Sequence, residues 1–334
     1  VNWLGDAIMC LPTLEAIRQG YPEAHISLLL KESLAPLFEG HPAVNDLIPL
    51  PTKTSSLLFA LSFFQRDLRK RAFDLAIILP NSFQSALIFF TAGIDERVGY
   101  ATASRQFFLS LVINLQETTL SKHQVYYYTD LLKSLNLNLT NIRPQLFLSD
   151  EEKNLGRELL RAFGINRKGR SLLVGFNPGS SYGPAKCWAP ERYAELANRL
   201  NQDFQAKIVL FGSREDMTIA ARIESLAKGM AFNLAGQLSL PDYARILTQC
   251  DLIVSNDSGG MHLAAALNLP LIAIFGSTNP FRTGPLSTKQ RIIYKKAPCS
   301  PCLKRVCPSD FVCMNTISVI EVLESVVEFM GQVV

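Results

Sequence analysis

Two segments of this chain combine small residues, hydroxyls and a lysine in the way a phosphate site requires. The first, Ser255–Pro280, reads S-N-D-S-G-G-M-H-L-A-A-A-L-N-L-P-L-I-A-I-F-G-S-T-N-P and follows the apolar run Leu252-Ile253-Val254. It predicts strand, tight turn, helix and second strand. Ser258, Gly259 and Gly260 open the helix, where backbone N–H groups and the positive end of the helix dipole favour an anion. Asp257 and His262 flank that point. The alternative is an ordinary connection with serine as cap and glycine as punctuation, the default for an isolated S-G-G.

The second segment, N-P-G-S-S-Y-G-P-A-K-C-W from Asn177 to Trp188, also follows an apolar strand, Leu172–Phe176. Ser180 and Ser181 offer hydroxyl and backbone donors, Gly179 and Gly183 permit close approach, and Lys186 supplies a point charge. Two such loops in one half of the chain imply one ligand held from both sides. Neither is a Walker A sequence and no G-x-G-x-x-G occurs, which removes the main support for a P-loop NTPase or a dinucleotide-binding domain.

Asp6 is the third candidate. The opening V-N-W-L-G-D-A-I-M reads as a strand-end loop and the start of a helix over Ala7–Gln19, with no strand before it. Asp6 then serves either as N-cap, a role worth ~0.5–2 kcal/mol, or as a general base projecting into a cleft. The residues alone favour the cap. Four of the seven cysteines form C-x-x-C-x-x-x-x-C-x-x-x-x-x-C at Cys299, Cys302, Cys307 and Cys313. The unequal spacing favours a proline-rich loop with reduced thiols, ahead of a zinc site and then a reversible disulfide.

These residues need a frame to hold them. At 334 residues the chain exceeds what one core serves, and two domains are expected. A balance of 33 Lys+Arg against 29 Asp+Glu, net +4, is too mild for a nucleic-acid footprint. The longest apolar stretches, Leu57–Phe64, Ala86–Phe90 and Phe107–Ile113, fall short of the ~20 residues that span a bilayer. No basic-then-apolar leader opens the sequence, and a soluble cytosolic chain is expected.

Strands are expected over His25–Leu30, Asn45–Leu50, Asp74–Leu79, Arg97–Tyr100, Leu172–Phe176, Lys207–Phe211, Leu252–Val254 and Leu271–Phe275. Helices are expected over Ala7–Gln19, Ser55–Arg71, Ser82–Ala92, Gln124–Leu135, Pro190–Leu200, Arg214–Ala227, Pro241–Thr248, Ser258–Leu267 and Ile317–Met330, with another starting near Asp150. This alternation predicts parallel sheets covered on both faces, with ligands beyond the carboxyl ends of the strands. Asn166–Arg170 is the expected linker.

Together, N-W-L-G-D-A-I-M (Asn2–Met9), P-G-S-S-Y-G-P-A-K-x-W (Pro178–Trp188), N-D-S-G-G-M-H-L-A (Asn256–Ala264), F-G-S-T-N-P (Phe275–Pro280) and the C-x-x-C-x-x-x-x-C-P set resemble the lipopolysaccharide heptosyltransferases of glycosyltransferase family 9, the heptosyltransferase II branch in particular. The resemblance covers essentially the full chain, in order. It implies an α/β fold of the GT-B type, two doubly wound Rossmann-like domains facing across a cleft. Residues 1–165 would be an acceptor domain whose first strand is missing, residues 166–312 the nucleotide-sugar domain, and residues 313–334 a helix packing back on the first domain.

The implied reaction is inverting transfer of heptose from ADP-heptose to the heptose/Kdo inner core of lipopolysaccharide, with no metal and no cofactor. By match to the family motifs, Asp6 is the base. Ser180, Ser181 and Lys186 on one side and Ser258, Gly259 and Gly260 on the other hold the diphosphate, and Asp257 and His262 belong to the donor site. For His262, a satisfied helix histidine remains the alternative. Glu215 is the candidate for ribose, Leu238 and Leu240 for adenine, and Arg97 and Arg105 for the anionic acceptor, with solvated surface arginines the alternative for that pair. The implied partners are ADP-heptose, a lipid-linked core acceptor and the cytoplasmic face of the inner membrane, touched peripherally; no nucleic acid is implied. A GT-B transferase for another nucleotide sugar, or a truncated inactive relative that only binds ADP-sugar, are the competing readings.

Overall fold

The computed structural model describes residues 3–50, 65–167 and 171–331. The stretch Leu57–Phe64, most of the expected helix Ser55–Arg71 and part of the expected linker lie outside the described residues. The chain divides into two compact units: Met9–Ile142, and Arg143 onward together with Trp3–Ile8 from the start of the chain.

The opening is two helices, α1 (Leu4–Met9) and α2 (Leu11–Gly20), where one was expected. Pro12 has no N–H to give the carbonyl of Ile8, which ends the first helix and suits the first turn of the next. In the first unit β1 (Ser27–Lys31) pairs in parallel with β2 (Asp46–Leu50). A separate parallel sheet runs β3 (Leu75–Ile78), β4 (Glu96–Tyr100), β5 (Leu111–Ile113). Helix α3 (Phe83–Thr91) follows β3 and is capped by Ser82, whose hydroxyl accepts from the N–H of Ser85. It buries Ala86 and Ile88 against Ile48, Leu68, Ile78 and Leu109. Helices α4 (Glu117–Ser121) and α5 (Gln124–Thr129) complete the unit.

The second unit holds a six-stranded parallel sheet in the order β11-β10-β9-β6-β7-β8. These strands are β6 (Leu173–Asn177), β7 (Lys207–Leu210), β8 (Ala231–Asn233), β9 (Leu252–Asn256), β10 (Leu271–Phe275) and β11 (Gln290–Tyr294). Every residue of β6, β9 and β10 is buried, as central strands covered on both faces require. The chain winds outward from β6 through β7 to β8, then returns to place β9 on the other side of β6. The β6/β9 junction is therefore the point where strand order reverses, the usual ligand crevice of such sheets.

Around this sheet lie α6 (Asp150–Ala162), α7 (Pro190–Phe204), α8 (Met217–Leu226), α9 (Leu240–Leu247), α10 (Gly259–Ala266), the single turns α11 (Pro280–Thr283) and α12 (Val312–Asn315), and α13 (Val319–Gly331). The division between units falls at residues 142 and 143, not at 165 and 166. The reason is α6, which a Ser149–Glu152 capping box starts and which packs tightly on α9. A Cβ on Gly156 would lie 2.4 Å from the carbonyl oxygen of Arg245. The terminal helix, expected on the first domain, instead sinks Val319, Val322 and Val326 into the core of the second unit with Trp188, Ile208 and Ile274.

Candidate functional site

Asn177 of β6 stands opposite Ser255 of β9, so the two phosphate-competent segments leave adjacent strands at the reversal point. Asn256 ties them together. Its amide N–H donates to the carbonyl of Pro178 at 2.5 Å, while its oxygen accepts from the Trp188 backbone N–H and the Tyr193 hydroxyl, each at 3.1 Å. One buried side chain thus fixes both ends of the 178–188 loop. Ser180 adds a hydrogen bond to the carbonyl of Asp257 at 3.2 Å; Ser181 is exposed beside it.

Lys186 turns inward. Its Nζ lies 2.5 Å from Oδ2 of Asp257, with side chains 12% and 5% exposed, and the same oxygen accepts from Thr278 at 2.6 Å. The ammonium also sits 4.6 Å from the centre of the Tyr182 ring. A pair this sheltered has lost much of its hydration, which only close geometry and added hydrogen bonds offset. The carboxylate and Thr278 therefore hold Lys186 at the loop without saturating its three donors.

The helix end beside it is built from glycine for packing reasons as well. A Cβ on Gly259 would come 2.9 Å from Cβ of Leu4, and one on Gly260 would come 2.2 Å from the Tyr243 hydroxyl. Tyr243 donates to Asn177 Oδ1 at 2.7 Å, and burial pushes its phenol well up, which keeps that donor protonated. Ser258 precedes the helix in an extended conformation, its hydroxyl 3.3 Å from that of Ser255. His262, on the first turn of α10, is buried.

Asp6 comes to the same place. Helix α1 begins at Leu4, so Asp6 lies within the first turn and is not the N-cap. The cap reading fails because the helix starts earlier than its apolar pattern suggested. Gly5 packs on His262, and the Leu4–Gly5 segment covers Gly259. The half-buried carboxylate of Asp6 is thereby carried on the donor-loop unit.

Glu215 is exposed, and the Ser213 side chain beside it holds its carboxyl below the usual range. Its neighbour Asp216 faces the site instead, accepting from the backbone N–H and hydroxyl of Ser213 at 2.8 Å each and lying against Gly179, where a Cβ would be 2.0 Å from Oδ1. Leu238 and Leu240 are half-buried. The two arginines are neither solvated nor open. Arg97 donates to the carbonyls of Ile94, Asp95 and Phe108. Arg105 is fully buried, donating to the carbonyls of Tyr100 and Pro80 and to the Ser85 hydroxyl, and burial lowers its pKa. Both give donors to backbone carbonyls that strand ends leave unpaired, while Nη2 of Arg105 is buried without a hydrogen-bond partner among the described residues.

Cys313 is near enough to Cys299, Cys302 and Cys307 for their charge to raise its pKa, after the larger effect of burial. Yet among the described residues no three His, Cys, Asp or Glu side chains converge to hold a metal ion. The loop has a packing role. Leu303 N–H donates to Ser277 at 2.8 Å, the Arg305 carbonyl accepts from Ala185 at 3.1 Å, and Leu303 accepts from Tyr182 at 2.5 Å. It buttresses the Lys186 loop from behind. Asn256, Tyr243 and Thr278 are residues of this site to which sequence reasoning gave no role; the N-D of N-D-S-G-G and the T of F-G-S-T-N-P pointed near two of them.

A family profile described as glycosyltransferase family 9 (heptosyltransferase) matches residues 61–312. The chain is 34% identical over 304 residues to lipopolysaccharide heptosyltransferase 2 of Salmonella typhimurium, covering 87% of this chain and 85% of that one. It superposes on the structure of E. coli ADP-heptose lps heptosyltransferase II with a TM-score of 0.85 and 30% identity, over 99% of this chain and 97% of that one. A family 9 glycosyltransferase from Veillonella parvula shares the fold, with a TM-score of 0.86 at 22% identity over 98% and 95% of the two chains.

Proposed function

Because the chain belongs to glycosyltransferase family 9, the heptosyltransferases, we propose that it transfers heptose from ADP-heptose to the inner core of lipopolysaccharide as a heptosyltransferase II-like enzyme. The observation that carries the mechanism is the convergence, in one unit, of the Asp6 helix, the Lys186 loop and the N-terminus of α10. In the proposed reaction Asp6 accepts the proton of the attacking acceptor hydroxyl. That oxygen bonds to the anomeric carbon on the face opposite the leaving ADP, whose glycosidic C–O bond breaks with inversion.

Negative charge then grows on the diphosphate. Lys186 and the first N–H groups of α10 face that charge without reorganising, the arrangement that lowers such barriers most. These groups serve in place of a cation. Ser180 and Ser181 orient the phosphates, and Asp257 and His262 hold the donor sugar. Placing Asp6 at a helix N-terminus favours its ionised, proton-accepting form.

The acceptor is lipid-linked in this reading. No helix among the described residues is long and apolar enough to cross a membrane. This reading puts the enzyme at the cytoplasmic face of the inner membrane, in peripheral contact with it.

The test is transfer from ADP-heptose to a mono-heptosylated inner-core acceptor in EDTA, for the parent and for Asp6→Asn. The parent turns over and the variant loses ~10²–10⁴-fold, the range a general base contributes. ADP-heptose still stabilises the variant against heat, by ~2.7 kcal/mol at 100 times its Kd. Unchanged turnover in Asp6→Asn removes the base; turnover only with another nucleotide sugar overturns the donor.

A further inference from the structure

Two apolar stretches noted in the sequence, Ala86–Phe90 and Phe107–Ile113, end on the surface of the first unit. Helix α3 is apolar on both faces: Ala86 and Ile88 are buried, while Phe83 and Phe90 are 43% and 46% exposed. Phe83, Leu87 and Phe90 are spaced i, i+4, i+7 and share one side. Phe108 joins them into a strip, with ring centroids 5.0 Å from Phe83 and 5.2 Å from Phe90. Phe107, next in the chain, is 79% exposed, and the edge strand β5 presents Leu111 and Val112 outward.

The strip has a cationic margin. The Arg97 guanidinium sits 5.3 Å from the Phe90 ring centre. Arg69 Nη2 lies 3.7 Å from the Cβ position of Gly93, just past the end of α3. Arg66, Arg69 and Lys70 are exposed and share a helical face at i, i+3, i+4. The exposed acids nearby are Asp74, Asp95 and Glu96, whereas Asp67 is engaged by Arg71.

We infer that this strip is where the protein lies on an anionic lipid bilayer, with the phenylalanine rings in the headgroup layer and the cations over acidic lipids. Contiguous exposed apolar surface with a polar rim marks an interaction site. Phenylalanine with basic residues suits an apolar–anionic boundary, where rings enter and cations meet the negative surface potential. A protein partner more often meets Trp, Tyr and Arg anchors. The choice of a bilayer rests on the reading of the acceptor as lipid-linked.

The experiment is co-sedimentation of the full chain with vesicles of phosphatidylethanolamine and phosphatidylglycerol, free of acceptor, against vesicles of phosphatidylcholine. Binding is expected only to the anionic vesicles, weakening as salt rises. Phe83→Ser/Phe90→Ser/Phe107→Ser is expected to lower it at least ~tenfold, since lost ring burial of ~1.4 kcal/mol already gives that factor. Should the triple variant melt early, Phe107→Ser and the charge reversals Arg66→Glu/Arg69→Glu, each on exposed side chains, must lower binding. Turnover on a delipidated acceptor must stay at the parent level in these variants. Undiminished binding in folded variants overturns the inference. So does a parent dimer that light scattering shows to be lost in the phenylalanine variants, which makes the strip a protein interface. A failure of heptose transfer leaves the vesicle result standing, so the two readings fail separately.

Discussion

Gly5 and His262 are in direct packing contact: a Cβ built on Gly5 would lie 2.9 Å from Cδ2 of the imidazole. Only the absent side chain lets α1 descend onto α10, and the same approach is repeated by Leu4 over Gly259. The carboxylate proposed as base is thus seated on the helix proposed to meet the donor phosphates. The base and the phosphate-binding helix end thus share one packing contact.

Gly5→Ala tests that seating. The added methyl must push α1 or the imidazole by several tenths of an ångström. A displacement of this size at a reacting group is expected to reduce kcat ~10-fold to 10²-fold. Overpacking of ~1–3 kcal/mol is expected in thermal stability. ADP-heptose affinity, measured by calorimetry, is expected to change far less than kcat. Equal losses in both would show that α1 supports the donor pocket and not the base.

Lys186→Ala removes the partner of a carboxylate that is 5% exposed. Thr278 still donates to Asp257, but the charge is no longer matched. A loss of ~3–5 kcal/mol follows when one member of a buried pair is deleted. Lys186→Ala/Asp257→Asn is expected to recover most of that stability while leaving transfer impaired. Denaturant melts and turnover of the two variants measure the two roles separately. If the double variant regains activity, Lys186 acts only as the counter-ion of Asp257.

The parts of this architecture that sequence made legible are those written in local patterns. Leu172–Phe176 and Leu271–Phe275 are unbroken apolar runs and became β6 and β10 within a residue. The strands β8 (Ala231–Asn233) and β11 (Gln290–Tyr294) escaped notice because they are short or carry mixed polarity, and their pairing in the sheet decides them. The glycines and hydroxyls of both phosphate loops were readable. Asn256 and Tyr243 were not, because their contribution is a tertiary contact with Pro178 and Asn177. Arg97 and Arg105 were offered as acceptor cations, with solvated surface arginines as the alternative; it is that alternative which fails, because both guanidiniums meet carbonyls 2 to 25 residues away. The place of α6 was hidden for the same reason, since Gly156 meets Arg245 only after folding.

Gly183 adopts φ +147°, and a Cβ there would lie 2.4 Å from the carbonyl oxygen of Arg305. Gly183→Ala should therefore strain the Lys186 loop and push the cysteine segment away. The expected result is a donor Kd raised ~10-fold or more, as backbone strain of ~1–3 kcal/mol is relieved by opening the loop. A calorimetric titration with ADP measures it. Parent-like affinity would mean that the loop tolerates the displacement and that its contact with Arg305 is dispensable.

The cysteines differ enough in environment to be told apart by chemistry. Backbone and side-chain hydrogen bonds from Ser309 lower the Cys307 thiol, while burial pushes Cys187 up to about 11. A lowered pKa means more thiolate at a given pH, and the thiolate is what alkylates. Iodoacetamide at pH 7.5, followed by peptide mass spectrometry, should label Cys307 first and leave Cys187 protonated and unlabelled in the folded protein. Raising the pH to 9 should increase labelling at Cys307 by a smaller factor than at a thiol whose pKa is not lowered. Since the segment from Leu303 to Arg305 braces the Lys186 loop through Tyr182 and Ala185, labelling at Cys307 should also weaken ADP binding measured on the same samples. Labelling of Cys187 at a comparable rate would instead show that the loop opens to solvent on the timescale of the reaction.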